Sequence, residues 1–342
     1  MKILPCDLLS PFSDAKKVLL DEKDFVLSSY ETYIVAFSGG KDSLACILWL
    51  LDKGIDRRHI ELWHHDVDAG IRFMDWPVTQ AYTRAVAKAL NLPIYYSWKV
   101  GGFLGEMLRE NALTKPTTFQ SPLEGTITVG GLRGIPNTRL KFPQVSVNMH
   151  TRWCSSYLKI GVGESAIINQ KRFRNSRTLF ITGERAEESA NRARYPVFEM
   201  YRADARESKL NRHVDVYRPV HKFTQTQIWA LIKKWGINAH PCYFLGWGRC
   251  SCAGCIFSNP NQWATLQQVS PQLFHLISFY EQKLQTIRKN LSIEEMAKRG
   301  TVFPSVTAKH KDLINKESFD EPILLDKWLE PAGSGAEQTG PT

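Results

Sequence analysis

Residues 33–43 read Tyr-Ile-Val-Ala-Phe-Ser-Gly-Gly-Lys-Asp-Ser, and this run constrains the fold more than any other part of the chain. The stretch 33–37 is short, apolar and rich in β-formers, the pattern of a buried parallel strand. Ser38, Gly39 and Gly40 then turn the chain sharply, and dense apolar residues at 44–51 predict a helix behind the turn. A strand, a glycine turn and a helix start make an anion site. Backbone N–H groups at the helix N-terminus face one way, and the helix dipole favours negative charge there. The two glycines let the backbone approach phosphate oxygens. Ser38 and Ser43 add hydroxyl donors and Lys41 a point charge. A Walker-type loop needs a longer spacing before its Gly-Lys pair, so this is a different phosphate loop.

The rest of the chain supplies the sheet that such a loop needs. Further strands are predicted at 60–66, 93–98, 178–183 and 214–220, and the first strand extends to 38. Helices are predicted at 44–53, 78–90 and 226–235. Strands alternating with helices imply an α/β fold with a doubly wound parallel sheet. Ligands in such sheets bind beyond the carboxyl ends of the strands. Three segments converge there by prediction: the loop at 38–43, the run His64-His65-Asp66-Val67-Asp68, and Gly183-Glu184-Arg185. Asp66 or Asp68 is a candidate magnesium or ribose contact. Arg185, Arg192 and Arg194 read either as phosphate clamps or as a solvated helix face paired with Glu184, Glu187 and Glu188.

Residues 114–148 break the rhythm, with Gly, Pro and Thr, three basic residues (Arg133, Arg139 and Lys141) and little acid. An insertion is expected there, with a hairpin around Gly130-Gly131. One or two terminal helices are expected at 271–299. The expected division is a nucleotide-binding domain at 1–225, a helical region carrying the cysteines at 226–330, and a disordered tail at 331–342.

A net charge of +10 suits a polyanionic partner such as nucleic acid, or a nucleotide substrate. No apolar run is long enough to span a bilayer, and the first residues lack a signal-peptide pattern, so a cytoplasmic protein with no membrane partner is expected. In a reducing compartment the seven cysteines then point to metal or redox chemistry rather than disulfides. Cys252 and Cys255 form a C-x2-C pair, and Gly254 frees the backbone between them. Cys154 is the best third ligand, and Cys250 and Cys242 compete for a fourth place. Arg152 and Arg249 are expected to lower the thiol pKa values. Iron–sulfur and zinc sites both remain open on these residues. Cys46 falls on the apolar face of the first helix, and neither it nor Cys6 is expected in the site. Trp153 and Trp247 adjoin the cysteines and are expected to shield them from water.

Ser-Gly-Gly-Lys-Asp-Ser at 38–43 resembles the pyrophosphate (PP) loop of the adenine nucleotide α-hydrolase superfamily. Further matching stretches are Arg-Trp-Cys-Ser-Ser-Tyr-Leu-Lys at 152–159 and Gly-Glu-Arg-Ala-Glu-Glu-Ser-Ala-Asn-Arg at 183–192. Arg218-Pro219-Val220 with Thr224 and Trp229, and Cys252-Ala253-Gly254-Cys255-Ile256-Phe257, complete the set. Together they resemble the phosphoadenosine phosphosulfate (PAPS) reductase family over about 33–263. The resemblance implies a Rossmann-like PP-loop fold with ATP bound by Ser38, Gly39, Gly40, Lys41, Asp42, Ser43, Asp66, Gly183 and Arg185. It implies catalytic roles for Lys41, Asp42 and Arg185, with Mg2+ on Asp42 or Asp66. It also implies a 4Fe-4S cluster on Cys154, Cys252, Cys255 and Cys250, with zinc as the alternative.

Two departures narrow the resemblance. Assimilatory reductases of this family end in a Glu-Cys-Gly-Leu-His motif, and here no cysteine follows Cys255. Cluster-bearing sulfonucleotide reductases carry adjacent cysteines at the first element, and here Ser155 follows Cys154. The pattern is more similar to the sulfur-inserting branch of DNA phosphorothioation systems. That branch implies ATP-dependent sulfur transfer to an acceptor, expected to be nucleic acid, with a cysteine desulfurase as sulfur donor. The alternatives are a sulfonucleotide reductase that releases sulfite, and a zinc-stabilised nucleotide or nucleic-acid binder without catalysis.

Overall fold

The computed structural model describes residues 20–336 apart from 147, 286 and 289. Cys6 and the end of the expected tail, from 337 onward, lie outside the described residues. In chain order the elements are β1 (Thr32–Ala36), α1 (Lys41–Asp52), β2 (Ile60–Asp66), α2 (Thr79–Ala89), β3 (Ile94–Lys99) and α3 (Gly102–Met107). They continue with β4 (Thr117–Ser121), β5 (Gly125–Val129), α4 (Trp153–Ser155), α5 (Gly161–Ile168), β6 (Ser176–Ile181), α6 (Ala190–Ala193), β7 (Phe198–Met200) and β8 (Arg212–Tyr217). The chain then turns helical: α7 (Gln225–Lys234), α8 (Pro241–Phe244), α9 (Pro260–Val269), α10 (Pro271–Lys283), α11 (Ile293–Arg299) and α12 (Ala308–Asn315).

One eight-stranded sheet runs in the order β5-β4-β3-β2-β1-β6-β8-β7. Its centre, β3-β2-β1-β6-β8, is parallel throughout. Antiparallel strands close both edges. Both faces of the central strands are buried. On one face Tyr33, Val35, Leu62 and Leu179 join Leu44 and Leu48 of α1 and Ile228 and Ile232 of α7. On the other, Ile34, Trp63, Phe180 and Val214 meet Ala166 and Ile167 of α5. Burial on both sides is why these strands read as apolar runs rather than alternating ones. The α/β doubly wound architecture expected from the sequence is present. The boundary expected at 225/226 falls at the start of α7, which shares the core of the sheet domain. Thr224 caps that helix, accepting from Gln227 N–H at 3.2 Å while its own N–H donates to Gln227 Oε1 at 2.8 Å.

The segment 114–148 differs from the expected insertion. It supplies β4 and β5 to the sheet, and the hairpin turns at 122–124, not at Gly130-Gly131. Those glycines, both at positive φ, end β5 instead; a β-carbon on Gly131 would lie 2.6 Å from Pro116 Cδ. The expected tail at 331–342 includes an ordered turn, Ala332–Gly335. A β-carbon on Gly333 would overlap Trp247 O at 2.1 Å, so the turn packs directly on the 243–247 backbone.

Candidate functional site

β1 pairs in parallel with both β2 and β6, and the strand order reverses direction there. The crevice beyond such a switch point is where α/β sheets bind ligands. A cavity of about 1010 Å3 opens there, at the upper end of the range for small-molecule sites. The loop residues Ser38, Gly40, Asp42 and Ser43 form one wall, Thr182, Gly183 and Glu184 a second, and Cys154, Cys250, Cys252 and Cys255 a third.

The loop is built as its residue types require. Gly39 sits at φ +84°, and a β-carbon on Gly40 would meet Cys250 Cβ at 3.4 Å. Ser43 Oγ donates to Gly40 O at 3.0 Å and accepts from Ser38 N–H at 3.3 Å. On the β6 side, a β-carbon on Gly183 would come within 2.8 Å of Asp42 C and 2.9 Å of Ser43 N. Only glycine lets the two loops approach this closely.

Three residues of the expected nucleotide site take other places. Lys41 is 1% exposed and does not line the cavity; its ammonium donates to Asp42 Oδ2 and Gly248 O, both at 3.1 Å. Its backbone N–H is also committed, donating to Tyr243 Oη at 2.8 Å. Arg185 is fully buried behind the loop, where Nε donates to Asp42 Oδ1 at 2.7 Å and Nη1 to Phe223 O at 3.2 Å and to Glu187. Burial alone would raise the Asp42 carboxyl, but Lys41 and Arg185 outweigh it and hold the group below the usual carboxylate value. Lys41 and Arg185 therefore position Asp42, which is the member of the trio that faces the cavity. Asp66 is turned away from the cavity as well. It accepts from the N–H groups of Asp68 and Ala69 at 2.9 and 3.0 Å, of Gly70 at 3.1 Å, and from Gln80 Nε2 at 2.7 Å. Asp68 likewise collects the N–H groups of Phe73, Met74 and Asp75. These carboxylates tie down the loop after β2, and both border a separate, smaller pocket.

The residues of the β2 end that do face the cavity are His64 and His65. His64 Nδ1 lies 2.9 Å from Phe37 O, which can only accept, so the proton sits on Nδ1. Nε2 is left as a buried lone pair without a partner among the described residues. Burial pushes both imidazoles down, His65 to about 3, so both are neutral at physiological pH. Arg192 and Arg194 border the cavity, and Arg192 is paired with Glu188.

The cysteine wall joins two distant segments. Arg139 stacks over Trp153 at 4.8 Å and Tyr157 at 4.6 Å and pairs with Glu106 at 2.8 Å, fixing the Cys154 helix to the insertion. The helix then widens into a π-turn over Ser156–Ile160, a form frequent at functional sites. Lys159 lies in that turn and reaches the cavity beside the thiols. Negative charge on the Cys252 sulfur would raise its ammonium against the pull of burial, with Asp75, Cys154 and Cys255 acting the same way. On the other segment, Cys255 N–H donates to Cys252 O at 3.1 Å, and Gly254 N–H to Met74 O at 3.0 Å. A β-carbon on Gly254 would meet Ile277 Cδ1 at 2.5 Å, so close packing demands this glycine.

Arginines do not dominate the thiols as expected. Burial pushes Cys154 up to about 11 and Cys252 well above the usual thiol value, even with Lys159 pulling both down. Cys250 goes the other way and joins a different group. A hydrogen bond from Cys242 holds it well below the usual value, with His240 assisting. Donor atoms of His240, Cys242 and Cys250 lie within 4.8 Å of one another. Among the described residues, Cys154, Cys252 and Cys255 make no group that tight. Cys46 is fully buried on α1, as expected.

Sequence reasoning missed His240, Tyr243 and the cavity lone pair of His64. Lys159, five residues after Cys154 on one helical segment, was legible as a neighbour of that thiol. His240 carried no signal beyond its place two residues before Cys242.

Among the described residues no helix is long and apolar enough to cross a membrane. The phosphoadenosine phosphosulfate reductase domain matches residues 142–258, which hold Cys154, Lys159, Gly183, Arg185 and the 250–255 cysteines but not the glycine loop. An uncharacterized 37.8 kDa protein in the gpa 5′ region of Escherichia phage 186 is 25% identical over 263 residues, covering 72% of this chain and 73% of that protein. The domain match, on a parallel sheet with a glycine loop at its switch point, supports a PAPS reductase-like, nucleotide-using enzyme of the PP-loop superfamily.

Proposed function

We propose that this protein transfers sulfur in an ATP-dependent reaction: it adenylates an acceptor, a nucleic-acid phosphate, and then places sulfur on it. The observation that carries this reading is the single cavity bordered by the glycine loop on one side and by Cys154, Cys252 and Cys255 on another. The loop N–H groups other than those of Ser38 and Lys41, with the Ser38 hydroxyl, bind the ATP phosphates, and Asp42 holds Mg2+ beside them. An acceptor oxygen attacks the α-phosphorus and pyrophosphate leaves. The fixed donors stabilise the charge that develops on the phosphoryl oxygens. A cysteine desulfurase delivers sulfur as a persulfide, and a thiol reductant releases it as hydrosulfide with formation of a disulfide. The hydrosulfide then attacks the activated acceptor phosphorus, and AMP leaves with the bridging oxygen; the thiol supplies the two electrons, and neither adenylation nor displacement needs any. Arg192 and Arg194 neutralise acceptor phosphates at the cavity rim, in keeping with the net charge of +10.

The donor chemistry fits a 4Fe-4S cluster on Cys154, Cys252 and Cys255 better than zinc. A mononuclear tetrahedral site brings thiolate sulfurs to about 3.8 Å from one another, given Zn–S bonds of about 2.3 Å. Among the described residues the three thiols do not all lie within 4.8 Å of one another, a wider spread than that. Lys159 among them suits the net negative charge of a thiolate-ligated cluster. Such a cluster would supply a Lewis-acidic iron for the incoming sulfur anion.

A second reading, sulfonucleotide reduction with release of sulfite, is favoured by the reductase-domain match over 142–258. It needs an attacking thiol, and no cysteine follows Cys255 to provide one in the position used by assimilatory reductases. Anaerobically prepared protein separates the two. ATP labelled at the α-phosphate, with DNA, tRNA or neither, is expected to release AMP and pyrophosphate only with an acceptor. Labelled sulfur from cysteine and a desulfurase is expected to enter that acceptor. Sulfite release from PAPS or adenosine phosphosulfate without acceptor, and no turnover of ATP, rejects the sulfur-transfer reading.

A further inference from the structure

The group around His240 has no part in the reaction just described. His240 and Cys242 are completely buried, Cys250 is partly so, and their donor atoms lie mutually within 4.8 Å. We infer that His240, Cys242 and Cys250 form a second, mononuclear metal site for a zinc-class cation, directly beneath the glycine loop and separate from Cys154, Cys252 and Cys255.

The donor set is the first support. Two thiolates and one imidazole are a preferred zinc set, and the spacing suits one ion rather than a cluster. The ring of His240 is held from outside the group. Its Nε2 lies 3.3 Å from Thr79 Oγ1, and Thr79 Oγ1 donates to Asp75 Oδ1 at 3.4 Å. A metal-binding histidine is commonly oriented by such a hydroxyl–carboxylate chain through its other nitrogen. His240 also starts α8, where its Nδ1 lies 3.2 Å from Cys242 N, so the backbone brings ring and thiol together, and a bound cation takes the Nδ1 lone pair from that N–H.

Placement is the second support. A β-carbon on Gly40 would lie 3.4 Å from Cys250 Cβ, and one on Gly39 would lie 3.7 Å from His240 Cδ2. Tyr243 Oη accepts from Lys41 N–H at 2.8 Å and from Cys250 N–H at 3.1 Å, joining the same two segments. A cation at this point pins the 240–250 segment against the phosphate loop, and sets the loop's position before any nucleotide arrives. The site is independent of the sulfur-transfer reading: it is read out by zinc, not by iron or by turnover.

The test uses the full chain with Cys154→Ser, Cys252→Ser and Cys255→Ser, which removes the other thiol set. After preparation under reducing conditions this variant is expected to retain about one zinc per chain. Replacing the zinc by Co2+ is expected to produce thiolate-to-cobalt charge-transfer absorption. Adding Cys242→Ser or His240→Ala is expected to weaken metal retention at least tenfold. A folded triple variant, verified by circular dichroism, that holds neither zinc nor cobalt overturns the proposal. So does a Cys242–Cys250 disulfide that persists in reductant. If the triple variant does not fold, zinc-edge X-ray absorption of the parent chain decides. Two sulfurs and a nitrogen around zinc are expected, and a parent chain without zinc overturns the site.

Discussion

The loop wall and the cysteine wall border one cavity but are held in place by different physics. Behind the loop, Asp42 is gripped by Lys41 and Arg185, and Arg185 is gripped in turn by Glu187. Every one of those charges finds its opposite within the chain, so this wall is complete before a ligand binds. The cysteine wall is carried by packing instead: Trp153 is fully buried, Arg139 stacks on it, and Gly254 fits against Met74 and Ile277. Its thiols line the cavity with one ammonium, Lys159, and burial disfavours the ionised form of Cys154 and Cys252. The comparison teaches that one wall is preorganised by internal ion pairs, whereas burial holds Cys154 and Cys252 of the other as neutral thiols.

The sharpest way to break this contrast is Asp42→Asn. It strands two buried cations and is expected to destabilise the chain by about 3–5 kcal/mol in urea denaturation, with loss of nucleotide binding. A cost under 1 kcal/mol would falsify the internal-pairing account. Gly183→Ala comes next. Its β-carbon would press on the Asp42 and Ser43 backbone, at 2.8 and 2.9 Å, and an overpacking cost of about 1–3 kcal/mol is expected. Isothermal titration with a non-hydrolysable ATP analogue is expected to register weaker binding in the same variant. Unchanged stability and affinity would mean that the two loops move apart freely.

Cys252→Ser should act in the opposite manner. In the metal-free chain its effect on stability is expected to stay within about 0.5–1 kcal/mol, because no ion pair is lost. Iron content after anaerobic reconstitution is expected to fall to background. A large destabilisation of the metal-free protein would put the two walls on the same footing.

The remaining test concerns pH. His65 has a folded pKa of about 3 against an ordinary 6.5, because burial disfavours the imidazolium. Above pH 6.5 neither folded nor unfolded chain holds the proton, and the stabilising contribution is fully present. As pH falls from 6.5 toward 3 the unfolded chain takes up a proton that the folded chain refuses, so stability is lost. His65→Gln is expected to flatten that part of the urea-midpoint profile. An unaltered slope would assign the acid sensitivity to other groups.

Much of the site's scaffold was legible in the chain. The five parallel strands fall within three residues of their predicted ranges, since strands buried on both faces must be apolar and bounded by turns. Glycines at 39, 40 and 183 stand where backbones crowd together. The hairpin was misplaced because two glycines at positive φ fit a turn as well as a strand end, and only pairing with β4 decides between them. Asp66 was misread because a carboxylate at a strand end looks the same whether it meets magnesium or the four donors that claim it here.

By itself, then, the sequence determined local geometry: a strand, a glycine turn, a helix start and a C-x2-C pair follow from residue type and spacing within a few positions. Tertiary structure alone decided which groups meet. It buried Lys41 and Arg185 behind Asp42 and left His64 facing the cavity. It also set Cys250 beside His240 and Cys242 while leaving it on the same cavity as Cys252. The physical reason is that charge pairing and thiol ligation depend on distances of a few ångströms between segments tens to hundreds of residues apart, and those distances exist only once the sheet has brought its loops to one edge.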